Sequence, residues 1–345
     1  MGRNIRKLSL LFAFVAIVAG MYSLCNRVGG YVTPKEKSVE VVKKVDEVPT
    51  TTPTTVLTTV PTTKTKANKT NKETVPTTSS GKNYPVIEKQ FGEDGITYDN
   101  FCVKNYTDFS LDIATELKRG LPFKIEKNHQ VQVLIFHTHT CESYLKSDTG
   151  YYPSDYYPRT TNNKENVTAV GDEIEKQLKK AGIGVIHDKT KHDYPSYNGG
   201  YDRSYQTIQK YVEKYKGIKV VLDIHRDAIG DDTSGKVKPT FKYKGKKASQ
   251  IMIMTGYQYE GGGDFPFWRD NLDFAIKLQQ TAETMYPGLT RPLNFGEYTY
   301  NLNVCNGSLL IEFGTDVNTI DEVKRSGKMV GKALAKVLQN NWNVI

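Results

Sequence analysis

The chain has 345 residues, 38% of them hydrophobic, a mean hydropathy of −0.53 and a formal net charge of +9. Length allows one or two domains at roughly 100–200 residues each. Much of the basic excess falls before residue 83, in a Thr/Lys/Pro tract rather than on a folded face, which argues against nucleic-acid binding. The four cysteines, Cys25, Cys102, Cys141 and Cys305, include no CxxC pair and argue against a disulfide framework, leaving room for a single bridge.

At the start of the chain Arg3, Arg6 and Lys7 precede an uncharged, mostly apolar stretch over 8–24. Its length is at the lower limit for a spanning helix, and the one-sided charge places everything after it outside the cytoplasm. A cleaved signal peptide and a lipoprotein signal ending at Cys25 compete with a retained anchor. Leu24 is bulky where a lipoprotein signal needs a small residue, and no small-x-small site follows Gly20, so an anchor is expected over 1–30. Residues 31–83 are a flexible Thr/Pro/Lys-rich linker, since repeated Thr and Pro offer little apolar surface to offset ordering entropy. A short N-terminal segment over 84–129, packed on the main domain, carries a helix near 110–118 stopped by Gly120 and Pro122.

The main domain, 130–345, alternates strands and helices. VQVLIF at 131–136 is a buried strand. Val167, Val170, Ile174 and Leu178 mark a helix over 165–180 that stops at Gly182, and 183–186 is a short strand. Tyr205, Ile208, Val212 and Tyr215 mark a second helix, followed by the strand IKVVLDI at 218–224. Strands at 236–243 and 250–255 flank a Lys-Gly turn; a helix over 271–285 ends at Pro287, the strand LLIEF covers 309–313, and a closing helix covers 319–338. This order predicts an α/β fold with a central, mostly parallel sheet and helices on both faces, preceded by a transmembrane helix and a disordered linker.

Sites in such sheets form beyond the carboxyl ends of strands. Here VLIF runs into His137-Thr138-His139-Thr140-Cys141-Glu142, VVLDI into His225-Arg226-Asp227, and LLI into Glu312. If those strands are neighbours, imidazoles and carboxylates converge in a set that suits zinc. His137 and His139 are two apart and face the same way on extended backbone. Glu312 is either half of an ion pair, with Arg226 for instance, or a general base aimed at a water that the metal activates.

VLIFHTHTCESY, HDKTKHDYPSYNGGYDRS, VVLDIHRDA and LLIEFGTDVNT, in this order, resemble the blocks of the stage II sporulation protein P family over roughly residues 100–340. The resemblance implies a zinc-dependent N-acetylmuramoyl-L-alanine amidase acting on peptidoglycan during engulfment in endospore formation. It also implies a lytic transglycosylase partner (stage II sporulation protein D) and a further membrane protein of the same complex. The catalytic domain would face the space between mother-cell and forespore membranes. By the same resemblance His139 and His225 hold zinc, Glu312 is the catalytic acid, and the third ligand is Glu142 or, alternatively, Glu165, with Glu142 favoured because it lies inside the motif. Arg226 is assigned to substrate carboxylates or the oxyanion. Cys141 departs from the Ser or Thr expected there and is read as a tolerated substitution. A stem-peptide endopeptidase and a wall-binding scaffold without catalysis are the rival functions.

Overall fold

The structure is a computed structural model that describes residues 81–260 and 263–340; the expected anchor, and the expected linker up to residue 80, lie outside them. No helix among the described residues is long and apolar enough to cross a membrane. The chain begins with β1 (Asn83–Lys89), β2 (Ile96–Tyr98), β3 (Phe101–Asn105) and α1 (Ile113–Arg119). β4 (Val131–Phe136), β5 (Tyr151–Pro153), α2 (Thr168–Lys180), β6 (Gly184–His187) and α3 (Gly200–Lys214) follow. Next are β7 (Val220–Asp227), β8 (Gly230–Asp231), β9 (Gly235–Tyr243), β10 (Lys246–Ser249) and β11 (Ile251–Gly256). The last are α4 (Trp268–Met285), β12 (Leu293–Gly296), a 3₁₀ turn (Leu302–Val304), β13 (Ser308–Thr315) and α5 (Ile320–Gln339).

Two sheets result. The larger has eight strands in the order β2-β3-β12-β11-β13-β7-β4-β6, and it is parallel except at β2/β3 and β11/β13. The strands that end in HTH, HRD and EFG are therefore adjacent, as β4, β7 and β13. A second sheet, β10-β9-β1-β5 with β8 on β9, is absent from the sequence expectation. Its central pairing joins Val86 to Lys236, and hydrophobic period alone does not reveal a partner so distant in the chain. Residues 84–129, expected as a short segment packed on the main domain, supply strands to both sheets. The hairpin at Lys244-Gly245 closes β9 on β10, a strand absent from the sequence expectation, whose second strand at 250–255 corresponds to β11.

Side-chain alternation along β4 explains its unbroken apolar run. Val133 and Ile135 join the core beneath α2, α4 and α5, whereas Leu134 and Phe136 pack with Ile208 of α3 on the opposite face. β7 obeys the same parity: Val220, Leu222 and Ile224 enter the first core, and Val221 the second. Asp223 and His225 must then share the α3 face with Val221. On β13, Leu309, Ile311 and Phe313 enter the first core, which puts Glu312 on the same face as His225, its register partner. α5 is fixed at its start by a capping box between Thr319 and Glu322, worth about 1 kcal/mol in such helices.

Candidate metal and catalytic centre

The sheet order brings His139, Glu142, His225 and Glu312 to one end of β4, β7 and β13. The chain leaves β4 at Phe136 and turns, with the Glu142 amide donating to the His139 carbonyl at 3.0 Å. That turn carries His139 over β7, where its ring centroid lies 5.3 Å from that of His225. Glu142 Oε2 lies 3.8 Å from His225 Nδ1 and accepts the Arg226 amide at 3.2 Å. Tyr197 stacks on His139 at 4.3 Å, and Tyr201 meets the same ring edge-on at 5.4 Å.

A further carboxylate, outside the expected ligand set, sits beneath this cluster. Asp223 is fully buried, accepts the Thr138 amide at 2.9 Å and its hydroxyl at 2.6 Å, and lies 2.8 Å from His225 Nε2, off the line of an ideal hydrogen bond. Burial alone would raise the Asp223 carboxyl, but the His225 imidazole and the Thr138 donors outweigh it and hold it below the usual range. Burial would likewise lower His225, yet Asp223, Glu142 and Glu312 around it raise the imidazole to about 10. The signal was available: an acid inside the apolar run VVLDI, two before a histidine, must share that histidine's face.

His139 is the opposite case. Burial first, and the cation at His225 second, lower its imidazole to about 4, so it is neutral, and its buried Nδ1 has no hydrogen-bond partner among the described residues. Glu312 is half-buried with Oε2 enclosed and unpartnered, and it forms no ion pair among the described residues, with Arg226 or otherwise. Removal from water, tempered by His225 and augmented by Asp227 and Glu142, pushes its carboxyl up to about 8. Just beyond it β13 is irregular at Gly314, whose φ of 62° favours glycine and where an added Cβ would collide with Asn318 Oδ1.

The remaining sequence candidates lie elsewhere. His137 continues the parity of Val133 and Ile135, so it faces α2 rather than sharing a side with His139; the extended backbone that would align the two ends before them. Its Nδ1 donates to the Ile224 carbonyl at 2.9 Å, and its Nε2 is 2.8 Å from His187 Nε2. Glu165 precedes α2, which starts at Thr168, and its carboxylate pairs with Lys146 at 3.1 Å on the surface. The Arg226 guanidinium donates to the carbonyls of Asp227 at 3.2 Å and Pro158 at 3.1 Å. Burial, with the nearby Asp193 carboxylate, pushes the Cys141 thiol up to about 12, which keeps it protonated. Cys102, Cys141 and Cys305 are all free.

Two imidazoles and a carboxylate are the donor set of catalytic zinc sites, and a buried imidazole nitrogen without a partner is costly unless something binds it. His139, Glu142 and His225 fit zinc on both counts, with Asp223 fixing His225 from behind as carboxylates do for ligating histidines. Another set, Asp172, Glu175 and His187, already has its ligand atoms within 4.8 Å of one another. Its valences are met internally: His187 Nδ1 contacts both acids at 3.1 and 3.5 Å, Lys189 pairs with Asp172, and Lys179 with Glu175. An ion-pair network under His137 accounts for it.

The fold and site define an α/β protein with a His-Glu-His cluster and an adjoining unpaired glutamate. The family model described as Stage II sporulation protein P matches residues 24–337, and the chain belongs to that family. A curated Stage II sporulation protein P of Bacillus subtilis (strain 168) is 28% identical over 218 residues, 59% of this chain. The match spans 50% of that relative's length. Among solved structures, the N-acetylmuramoyl-L-alanine amidase AmiC2 of Nostoc punctiforme is 12% identical, with a TM-score of 0.36 over 63% of this chain and 97% of the other. An N-acetylmuramoyl-L-alanine amidase from Clostridium difficile 630 is 16% identical, with a TM-score of 0.37 over 62% and 97%.

Proposed function

We propose that this chain is a zinc-dependent peptidoglycan hydrolase of sporulation that cleaves the amide between N-acetylmuramic acid and L-alanine outside the cytoplasm, anchored by residues 8–24. The observation that carries the reading is the convergence of His139, Glu142 and His225 beside an unpaired, proton-hungry Glu312. Membership of the sporulation family supports the setting.

In this reading His139, Glu142 and His225 hold the ion, and Asp223 keeps the His225 proton on Nε2 so that Nδ1 faces the cluster. Zinc bound there supplies Lewis-acid polarisation and makes a ligated water acidic near neutral pH. Glu312 takes the proton from the attacking water and returns it to the departing amine. The Glu312 carboxyl, its Oε2 enclosed and without a partner among the described residues, is placed for both halves of that task. Arg226 acts as a positioning residue, its amide fixing Glu142 and its guanidinium the Pro158 turn.

The test is product analysis on purified muropeptides. Amidase action frees intact stem peptides with an L-alanine amino terminus, and Glu312→Gln lowers the rate by roughly 10²–10⁴-fold while zinc content is kept. Cleavage within the stem peptide instead, or full activity in the variant, refutes the assignment.

A further inference from the structure

A buried polar line runs from the segment ahead of β13 to the carboxylate behind His225. On α3, Ser204 lies one turn before Ile208, so it faces the sheet as Ile208 does in packing with Leu134 and Phe136. Ser204 is fully buried, and its Oγ lies 2.8 Å from Thr138 Oγ1. Thr138, also fully buried, holds both oxygens of Asp223: its amide donates to Oδ1 at 2.9 Å and its hydroxyl to Oδ2 at 2.6 Å. At the other end Asn301 Nδ2 donates to Ser204 Oγ at 3.1 Å and to the Tyr201 carbonyl at 2.9 Å.

The available protons give this line one direction. The Tyr201 carbonyl only accepts, so the Asn301 atom facing it is the amide nitrogen, whose two hydrogens serve that carbonyl and Ser204. An ionised Asp223 also only accepts, so the Thr138 hydroxyl proton goes to Oδ2. The Ser204 proton then belongs between Ser204 and Thr138. Ser204 Oγ is also 3.0 Å from the Tyr201 carbonyl, but a proton sent there would leave two hydroxyl oxygens 2.8 Å apart with nothing between them. Every bond therefore points from Asn301 through Ser204 and Thr138 to the carboxylate, and bonds aligned in this way polarise one another.

The backbone around Asn301 is held in an uncommon shape. Tyr300 and Asn301 have φ of 41° and 58°, a left-handed pair that few side chains adopt and Asn tolerates well. The Tyr300 ring stacks on Tyr201 at 5.5 Å, so ring and amide both fasten this segment to the first turn of α3.

We propose that Ser204 and Asn301 are positioning residues of the metal centre, aiming Asp223 at His225 through the Thr138 hydroxyl and so strengthening the hold on the ion. The inference rests on the zinc reading of His139, Glu142 and His225 and adds to it two residues that are not ligands themselves. A carboxylate fixed at both oxygens keeps one orientation toward the imidazole, and outer partners of this kind typically contribute about 10–100-fold to metal affinity.

The experiment measures zinc affinity of the full chain by chelator competition at one pH. Ser204→Ala is expected to bind about tenfold more weakly, the lower end of the range for outer partners. Asn301→Gly suits the left-handed backbone and removes only the side-chain amide. It should lose less, about threefold, because its bond reaches the carboxylate only by polarising two others. In the Asp223→Asn background, where no carboxylate ends the line, neither substitution should weaken binding further. Unchanged affinity in either single variant overturns the proposal. So does a loss that persists in Asp223→Asn, since the residue then acts through the packing of α3. If Ser204→Ala fails to fold, Asn301→Gly decides by the same two comparisons. A chain that takes up no zinc, or loses none on His225→Ala, refutes the metal reading itself and the positioning role with it.

Discussion

Replacing Asp223 with Asn removes a charge 2.8 Å from His225 and alters almost nothing in volume. In the metal-free protein His225 is raised from 6.5 to about 10, with Asp223 the strongest of the groups raising it. At pH 8 an imidazole with a pKa near 10 is about 99% protonated, and one near 6.5 about 3%. Zinc requires the neutral ring, so uptake at pH 8 should expel about one proton from His225 in the unaltered chain and almost none in Asp223→Asn. Affinity at a single pH is a poor guide, because the variant loses both proton competition and the support that typically contributes about 10–100-fold to metal affinity. The slope decides. Zinc affinity should rise about tenfold per pH unit between 7 and 9 in the unaltered chain and flatten above about 7.5 in the variant. Calorimetric titration in buffers of differing ionisation enthalpy measures both slope and proton count. The stability sign agrees: a raised histidine stabilises the metal-free fold below pH 6.5, and that contribution is lost as pH climbs through about 10. An unchanged slope and proton count in the variant would refute Asp223 as the source of the His225 charge.

Other outcomes follow from the same geometry. Glu142→Ala should lose zinc while Glu165→Ala keeps it, because only Glu142 stands beside His225; metal analysis of both proteins checks this, and the reverse result moves the ligand to Glu165. Glu312 is raised from 4.5 to about 8, so the metal-free fold binds more protons than the unfolded chain in that window and its stability falls as pH rises. Glu312→Gln should remove this contribution between pH 5 and 6.5, before His225 contributes and where the lowered His139 acts in the opposite sense; denaturant melts with an unchanged pH slope would argue against a raised carboxyl. Protease added outside protoplasts should release a soluble fragment that begins within 31–83, and protection until the membrane is opened would place the domain inside.

The apolar runs of β4, β7 and β13 were legible because burial on both faces makes a strand uninterruptedly hydrophobic, and the residues ending those runs could be named from position alone. So could the helices, whose 3.6-residue period survives in α2, α4 and α5, although α3 begins earlier than its apolar residues suggested. What the chain order did not contain was adjacency. His139, His225 and Glu312 form one site because β4, β7 and β13 are neighbours, and strand order is set by packing of distant segments rather than by local period. Nor did spacing separate His137 from His139: the turn after Phe136 sends one under α2 to His187 and the other over β7 to His225. Arg159 and Asp193 illustrate the limit most clearly. Each looks like an ordinary loop charge in the sequence, and only the fold buries Asp193 as the partner of Arg159.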